Sequence, residues 1–211
     1  MHVAELWRYP VKSMAGERIE ATEIRKNGIP GDRVVYAENG HARVLTARAH
    51  PGLLGFHATL GADGEPRVDG RPWSDPEIAA RVRAAVTPAT RLARSGGAGV
   101  FDVLPLLVAT DGALAALGVD RRRLRPNIVI AGVEGLAERD WPGRRLRIGG
   151  ALIAVAKLRG RCVMTTYDPD TQRQDLSVLQ RIVDDFGGRM ALDCAVLEPG
   201  RVARGDAAEL L

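Results

Sequence analysis

Short apolar segments separated by turn residues recur along the whole chain and predict a protein built mainly from β-strands. Most of them alternate apolar and polar side chains or form brief runs rich in Val, Ile and Leu, as strands do. Pairs such as Asn27-Gly28 and Pro30-Gly31 are typical of the turns between strands. The predicted strands are residues 3–7, 18–25, 34–36, 43–46, 53–60, 127–131, 144–148, 151–158 and 193–197, followed by a final strand.

Three segments carry helix signals instead. Ser74-Asp75-Pro76 places cap-type residues and a proline at the start of a helix that runs to about Val86. Asp111 is predicted to cap a short helix that ends at Gly118. A third helix ends at Gly187-Gly188, and its predicted apolar face consists of Leu176, Leu179, Ile182, Val183 and Phe186.

Many short strands and few helices predict a mainly β, α+β fold with a barrel-like core and attached helices. The glycine-rich stretch 94–99 is the best candidate for a linker. It divides the chain into residues 1–95 and 96–211, two small domains that would share a cleft. No glycine-rich dinucleotide motif follows a strand, which argues against a Rossmann enzyme.

The charge pattern favours a small anionic ligand over nucleic acid. The formal net charge is +4, and the arginines are spread along the chain. The one dense basic run, residues 121–125, has no aromatic residues to stack bases, so we interpret it as a solvated basic face. No apolar run approaches the roughly 20 residues that cross a bilayer, and the N-terminus lacks a signal-peptide core. We therefore expect a cytoplasmic protein with neither a membrane nor a stable nucleic-acid partner.

Cys162 is the strongest candidate for reactive chemistry. Lys157, Arg159 and Arg161 precede it closely. Neighbouring cations favour the thiolate, the form that binds metals and attacks electrophiles. Free cysteines are also among the most buried residues, and from composition alone a small core side chain is the favoured alternative. A hydrolytic nucleophile would need a histidine base, and none of the four histidines lies in an evident catalytic motif. Cys194 has no cationic setting and is predicted to lie in the core.

Two further segments suit binding of an anion or an amide. The turn after Tyr9 offers Lys12, Ser13 and free backbone N–H groups to a phosphate or pterin oxygen, although a plain surface turn is the commoner case. Arg125 and Asn127 flank a proline at the start of an apolar strand and form a rigid donor pair. An Asn127 that hydrogen-bonds the backbone is an equally supported alternative. Arg33 and Arg48 each lie beside a strand and by themselves suit surface charges or structural ion pairs.

Six segments, in this order, together resemble the MOSC superfamily. The closest resemblance is to its branch with an N-terminal MOSC-type β-barrel domain, which includes the mitochondrial amidoxime-reducing component and bacterial relatives. Each motif alone is weak, but their order across nearly the whole chain is not expected by chance. They are Tyr9-Pro10-Val11-Lys12-Ser13, Gly31-Asp32-Arg33, Leu45-Thr46-Ala47-Arg48, residues 125–130, Trp141 with Arg147-Ile148-Gly149, and residues 161–171.

The resemblance implies a MOSC β-barrel core preceded by a small N-terminal β-barrel-like domain. It implies a molybdenum–molybdopterin cofactor whose metal is held by the Cys162 thiolate, which reverses the core alternative for that residue. The matching positions that hold the pterin and its phosphate are Lys12, Ser13, Arg33, Arg125 and Asn127. The implied activity is reduction of N-hydroxylated compounds such as amidoximes, hydroxylamines or hydroxylated purines. A cofactor or sulfur carrier without turnover of its own is the alternative, and a degenerate, metal-free binding protein is a third hypothesis.

Two features depart from the family pattern. Where relatives place hydroxyl residues before a proline, this chain has Val103 and Leu104, which donate no side-chain hydrogen bonds. The chain also lacks the additional iron–sulfur domain of some bacterial relatives. We therefore expect electrons to come from a separate flavin, haem or iron–sulfur protein.

Overall fold

The computed structural model describes all 211 residues and is rich in strands, with three α-helices and four short 3₁₀ helices. The predicted mainly β, α+β class is confirmed. The helices are α1 (Pro76–Ala85), α2 (Asp111–Leu117) and α3 (Leu176–Phe186). The strands are β1 (His2–Arg8), β2 (Glu17–Ile19), β3 (Ala21–Ile24), β4 (Val35–Glu38), β5 (Val44–Leu45), β6 (Ala58–Leu60), β7 (Pro66–Val68), β8 (Arg71–Pro72), β9 (Arg91–Arg94), β10 (Leu106–Thr110), β11 (Ile128–Ala131), β12 (Arg145–Ile148), β13 (Ala151–Gly160), β14 (Arg189–Glu198), β15 (Gly200–Ala203) and β16 (Ala208–Leu210).

An eight-stranded sheet forms the larger part of the molecule, in the order β16-β12-β13-β14-β10-β11-β1-β2. All neighbours are antiparallel except β10 and β11, which run parallel. An isolated bridge joins His2 to Ala207, just before β16, so the sheet curls back toward its first strand. Its concave side encloses a core of 20 buried residues that includes Leu6, Ile128 and Ile153.

A smaller second layer is formed by residues 35–94. Two three-stranded sheets, β5-β4-β9 and β6-β7-β8, pack with α1 around a separate core that includes Val35, Phe56 and Ile78. The first two strands of the predicted segment 1–95 lie in the large sheet instead, where β1 pairs with β11 and β2. The domain boundary between residues 95 and 96 stays a prediction.

Three local expectations were wrong. Residues 18–25 were expected to form one strand, but they are divided at Glu20 between β2 and β3, which belong to different sheets. Residues 53–60 were expected to form one strand, but Pro51–Gly55 is a 3₁₀ helix and only Ala58–Leu60 is a strand. A proline at the first helical position favours that turn, and an apolar run alone does not distinguish a helix from a strand. The buried face of α3 is Val178, Ile182 and Phe186, whereas Leu176 and Val183 are 64% and 50% exposed. An i, i+4, i+8 spacing therefore defines this face.

The capping of α2 also differs from the expectation. Thr110 is the N-cap, and its hydroxyl accepts a hydrogen bond from the Ala113 amide. The Asp111 carboxylate instead accepts from the amides of Gly132 and Val133, at 2.8 and 3.0 Å. It thereby ties α2 to the turn that follows β11. None of the three helices combines the length and apolar character needed to cross a lipid bilayer.

Candidate functional site around Cys162

All six residues singled out in the sequence line one cavity of about 90 Å³ between the large sheet and the second layer. Segments distant in sequence supply them: the turn after β1, the loops before β4 and β11, and the loop after β13. The structure thus brings together Lys12, Ser13, Arg33, Arg125, Asn127 and Cys162.

The lining of this cavity is strongly cationic. It contains seven Lys and Arg side chains and two carboxylates, so the net positive charge of the lining exceeds the formal charge of +4 of the whole chain. Clustered cations with low-dielectric walls concentrate anions. The cations are Lys12, Arg33, Arg48, Arg123, Arg125, Arg159 and Arg161, and the carboxylates are Asp102 and Asp193.

Backbone strain is concentrated in the same residues. Ser13, Arg33 and Arg125 have φ values of 70°, 54° and 57°, in the left-handed region. A residue with a Cβ loses roughly 1–2 kcal/mol there. Such strain persists where the surrounding structure over-determines the conformation, commonly at functional sites. The left-handed backbone at these three residues, which lie in three separate loops, turns their side chains into the same cavity.

Tyr9 holds two of the guanidinium groups in place. The guanidinium carbons of Arg33 and Arg125 lie 4.9 and 4.3 Å from the centroid of its ring. The phenol donates a hydrogen bond to the Pro126 carbonyl at 3.1 Å. Burial raises the pKa of Tyr9 to about 12, so the ring stays neutral at physiological pH. Tyr9 therefore packs against both guanidinium groups without neutralising their charge.

Asn127 is hydrogen-bonded within the protein. Its Oδ1 accepts from the Leu107 amide at 3.2 Å, and its Nδ2 donates to Asp32 at 3.1 Å. Asp32 is itself buried, accepts from the Tyr9 amide at 2.7 Å and forms an ion pair with Arg33. The alternative considered for Asn127, a buried partner of the backbone, matches this geometry. Its amide orients Arg33 through Asp32.

Asp102 gathers three cations at one edge of the cavity. Its oxygens lie 2.6 Å from Lys12 Nζ, 2.9 Å from Arg48 and 3.5 Å from Arg159. Burial opposes its ionisation, but the hydrogen bond and charge of Lys12 prevail and hold the pKa of Asp102 below its usual range. Burial also lowers the pKa of Lys12. Residues 101–104, which lack the hydroxyl side chains of the family, thus contribute the Asp102 carboxylate to the cavity instead. Val103 is 44% exposed.

Cys162 lies directly after β13, where its carbonyl accepts hydrogen bonds at the start of a 3₁₀ turn. Its thiol is free and partly exposed. Arg48 lines the same cavity, and although burial opposes the effect, Asp102 and the Cys162 sulfur together raise the pKa of Arg48. Cys194, by contrast, lies in the core as predicted, and burial raises the pKa of its thiol well above the usual range.

Three buried polar atoms in the chain have no hydrogen-bond partner, and all three belong to residues that line this cavity. They are Arg125 Nη2, Arg161 Nε and Asp193 Oδ2. Burial lowers the pKa of Arg125 and of Arg161 to about 10, because neither guanidinium has an adequate counter-charge. Buried polar groups in native proteins are nearly always paired. The residues present therefore fit an anionic ligand that brings acceptor atoms to both arginines.

The dense arginine run is not the solvated basic face that we expected. Arg121 pairs with Glu5, and Arg122 pairs with both Asp120 and Asp170. Arg123 donates to the Thr166 carbonyl at 2.9 Å and pairs with Asp168 at 3.2 Å. The run thus connects β1 and the cavity to the loop that follows Cys162. Apart from Asp120, these partners lie more than 40 positions away in the sequence, so no local pattern indicated the pairing.

Sequence reasoning did not assign a role to several residues of the site. Asp102 and Asp193 were missed because a single carboxylate has no distinguishing local signal. Arg159 and Arg161 were noted only as neighbours of Cys162, although their alternation along β13 could have predicted one shared face. Arg48 was interpreted as a surface charge or ion pair, and it is both ion-paired and adjacent to the thiol.

Comparisons with known proteins match these features. The family model for the MOSC N-terminal beta barrel domain matches residues 1–96, and that for the MOSC domain matches residues 109–209. Mitochondrial amidoxime-reducing component 1 of Homo sapiens is 24% identical over 233 residues, covering 80% of this chain and 67% of that protein. The Mus musculus protein of the same name is 24% identical and covers 99% of this chain and 82% of its own length.

Among solved structures, the YuaD protein from Bacillus subtilis superposes with a TM-score of 0.50 at 16% identity. The match covers 99% of this chain and 93% of that one, and it supports the fold. The two family models together match all but a short central segment and the last two residues. The chain therefore belongs to the MOSC domain family.

Proposed function

We propose that this protein is a molybdenum-cofactor-dependent reductase of small N-hydroxylated compounds, with the metal held by the Cys162 thiolate. The observation that carries the proposal is the pair of unpartnered guanidinium atoms, on Arg125 and Arg161, in the cavity that Cys162 lines. The similarity to amidoxime-reducing components supports the reaction class.

The donor set suits a pterin phosphate bearing a thiolate-ligated metal. No group of three or more His, Cys, Asp or Glu side chains could hold a metal ion by itself, so a single soft thiolate and a ligand-borne metal fit better. Lys12, Arg33 and Arg125 are proposed to bind the phosphate and Ser13 the pterin, while Asn127 orients Arg33 and joins the surrounding loops through its own hydrogen bonds. Ser13 Oγ already accepts from the Ala47 amide at 3.0 Å, and its hydroxyl hydrogen remains available for a ligand.

The space available extends beyond the cationic cavity. A cavity of about 90 Å³ is below the ~300–1,000 Å³ of typical cofactor sites. A second cavity of about 500 Å³ shares Arg123, Arg125 and Met164 with the first and is walled partly by Trp7 and Phe56. We propose that the pterin and the substrate divide this combined space, with the aromatic walls accepting planar groups.

When bound, the cofactor would supply the oxygen-abstraction and two-electron chemistry. The protein's own residues would bind the cofactor, orient it and determine the charge of the site. Arg48 lines the same cavity as Cys162 and would place a positive charge beside a metal-ligating thiolate. Asp102 keeps Arg48 and Lys12 at the rim, where they face an incoming anion. The 211 residues hold only two cysteines, one of them in the core, which cannot bind an iron–sulfur cluster, and the proposal includes an electron donor outside these residues.

The test compares the wild type with Cys162→Ala and Cys194→Ala, each purified from a host that makes molybdenum cofactor. Near-stoichiometric molybdenum and reduction of benzamidoxime with an artificial donor are expected in the wild type and in Cys194→Ala. Both should be lost in Cys162→Ala while its circular dichroism stays unchanged. Retention of molybdenum in Cys162→Ala would overturn the ligand assignment.

Molybdenum without turnover, together with release of the cofactor to an acceptor apoenzyme, would establish the carrier instead. Folded wild-type protein without molybdenum would overturn the reductase and leave the metal-free binding protein.

A further inference from the structure

Asp193 presents an unused acceptor to the cationic cavity. It lies on β14 between Leu192 and Cys194, which both point into the core of the large sheet. Because side chains alternate along a strand, Asp193 points to the opposite face. Its cross-strand neighbour on β10 is Leu107, which also lines the cavity.

One of its oxygens is paired and the other is not. Oδ1 accepts from Arg159 at 2.7 Å, whereas Oδ2 has no partner although the side chain is only 1% exposed. Asp102, the other carboxylate of the cavity, has both oxygens bonded to cations. A buried carboxylate oxygen without a donor is costly, so the ligand or ordered water must supply one.

The three unpartnered atoms call for a ligand that both accepts and donates hydrogen bonds. Arg125 Nη2 and Arg161 Nε each need an acceptor, which any inorganic anion provides. Asp193 Oδ2 needs a donor, and a fully ionised anion has none to give. A ligand that combines an anionic group with an N–H donor satisfies all three atoms at once.

We infer that Asp193 is a specificity-determining residue whose Oδ2 accepts an N–H hydrogen bond from the ligand. The cavity thereby distinguishes an N–H-bearing molecule from a simple inorganic anion. This inference rests on the proposed function, which offers two sources of the donor: the amino-pyrimidinone edge of the pterin, or the amino group of an amidoxime substrate.

The experiment measures equilibrium binding of three probes to the full chain, without molybdenum. The probes are inorganic sulfate, which carries no proton at neutral pH, 6-carboxypterin, which carries N–H donors beside a carboxylate, and benzamidoxime. Asp193→Asn should bind sulfate more tightly, by roughly two- to tenfold, because the cavity gains one positive charge. This variant should bind one of the N–H-bearing probes at least tenfold more weakly. The side-chain nitrogen of the new asparagine can occupy the position of Oδ2, and it cannot accept a hydrogen bond from the probe.

Asp102→Asn is the matched control. It makes the same change in charge but removes a carboxylate whose oxygens are already bonded. Because Asp102 also positions Lys12 and Arg48, this variant should change the binding of the anionic probes in one common direction, with no selective loss of an N–H probe. Opposite signs for sulfate and for an N–H probe in Asp193→Asn distinguish recognition from a general loss of structure.

Each outcome decides the question. Loss of 6-carboxypterin binding assigns the donor to the pterin, and loss of benzamidoxime binding alone assigns it to the substrate. Weakening of sulfate binding in parallel, or no change for either N–H probe, overturns the inference. A wild-type enzyme that takes up molybdenum and reduces benzamidoxime while Asp193→Asn binds all probes normally would refute this inference alone. Asp193-dependent pterin binding without molybdenum uptake would refute only the proposed function.

Discussion

Replacing Arg125 with methionine should stabilise the ligand-free protein. Arg125 Nη2 is buried without a partner, and burial lowers the pKa of the group from 12.5 to about 10. A pKa unit corresponds to ~1.4 kcal/mol, so holding this charge at neutral pH costs at most about 3 kcal/mol. The substitution also removes the contact with the Tyr9 ring at 4.3 Å, worth roughly 1–2 kcal/mol. The net gain in unfolding free energy is about 1–2 kcal/mol.

The gain follows from the sign of the shift. A cation whose folded pKa is lowered destabilises the native state fully below that pKa, and the penalty fades only as pH rises through about 10 toward 12.5. The difference between Arg125→Met and the wild type should therefore be constant between about pH 6 and 8. For a chain of 211 residues it corresponds to a melting temperature higher by roughly 2–8 °C.

Chemical denaturation and calorimetry of the ligand-free proteins measure this effect. Arg123→Met is the control, since Arg123 is paired with Asp168 and the Thr166 carbonyl and its loss should lower stability. Adding phosphate should stabilise the wild type more than Arg125→Met. An Arg125→Met variant that is less stable than the wild type without ligand would show that the protein already compensates the guanidinium, and the reasoning would fail.

Three further changes test other parts of the structure. Tyr9→Phe removes the donor to the Pro126 carbonyl and should cost about 1 kcal/mol in urea unfolding, with no pH dependence between about pH 6 and 9 because the phenol stays neutral. Glu138→Gln should stabilise the protein at pH 7, because burial raises the pKa of Glu138, and this advantage should shrink as the pH falls through the raised pKa and be absent below about 4.5; denaturation at pH 7 and at about pH 4 measures this. Ser13→Gly should leave stability within about 1 kcal/mol of the wild type, since relief of the left-handed strain offsets the lost bond to Ala47, yet phosphate binding should weaken in a calorimetric titration.

The sequence predicted correctly those elements that depend on residues close together in the chain. The helix after Asp75 was placed correctly because its cap and proline act over a few residues, and the Asp75 carboxylate accepts from the Glu77 amide. The turn at Pro51 was missed because an apolar run has no period of its own. Lys12, Ser13 and Arg33 were singled out as separate candidates, and only the family resemblance linked them to Cys162.

The remaining parts of the site depend on contacts between distant segments. Arg121 reaches Glu5 across 116 positions, and Arg122 reaches Asp170 across 48. A basic run that is neutralised by such partners has the same sequence as one that faces solvent. The unpartnered oxygen of Asp193 is likewise a property of packing, because Oδ2 is distinguished from Oδ1 only by where Arg159 lies.

The energetics of the cavity separate function from folding. The two main cores contain none of the six candidate residues, so the fold does not require their arrangement. Yet the cavity combines left-handed backbone at Ser13 and Arg33 with unpartnered atoms on Arg125 and Arg161. Each of these features opposes folding by roughly 1–3 kcal/mol in the absence of a ligand. A ligand at a hundred times its dissociation constant stabilises a protein by about 2.7 kcal/mol, which is the scale needed to offset one or two of them. The fold therefore carries a site whose stability depends on occupancy, and the free energy of unfolding should rise when an anionic ligand with an N–H donor is added.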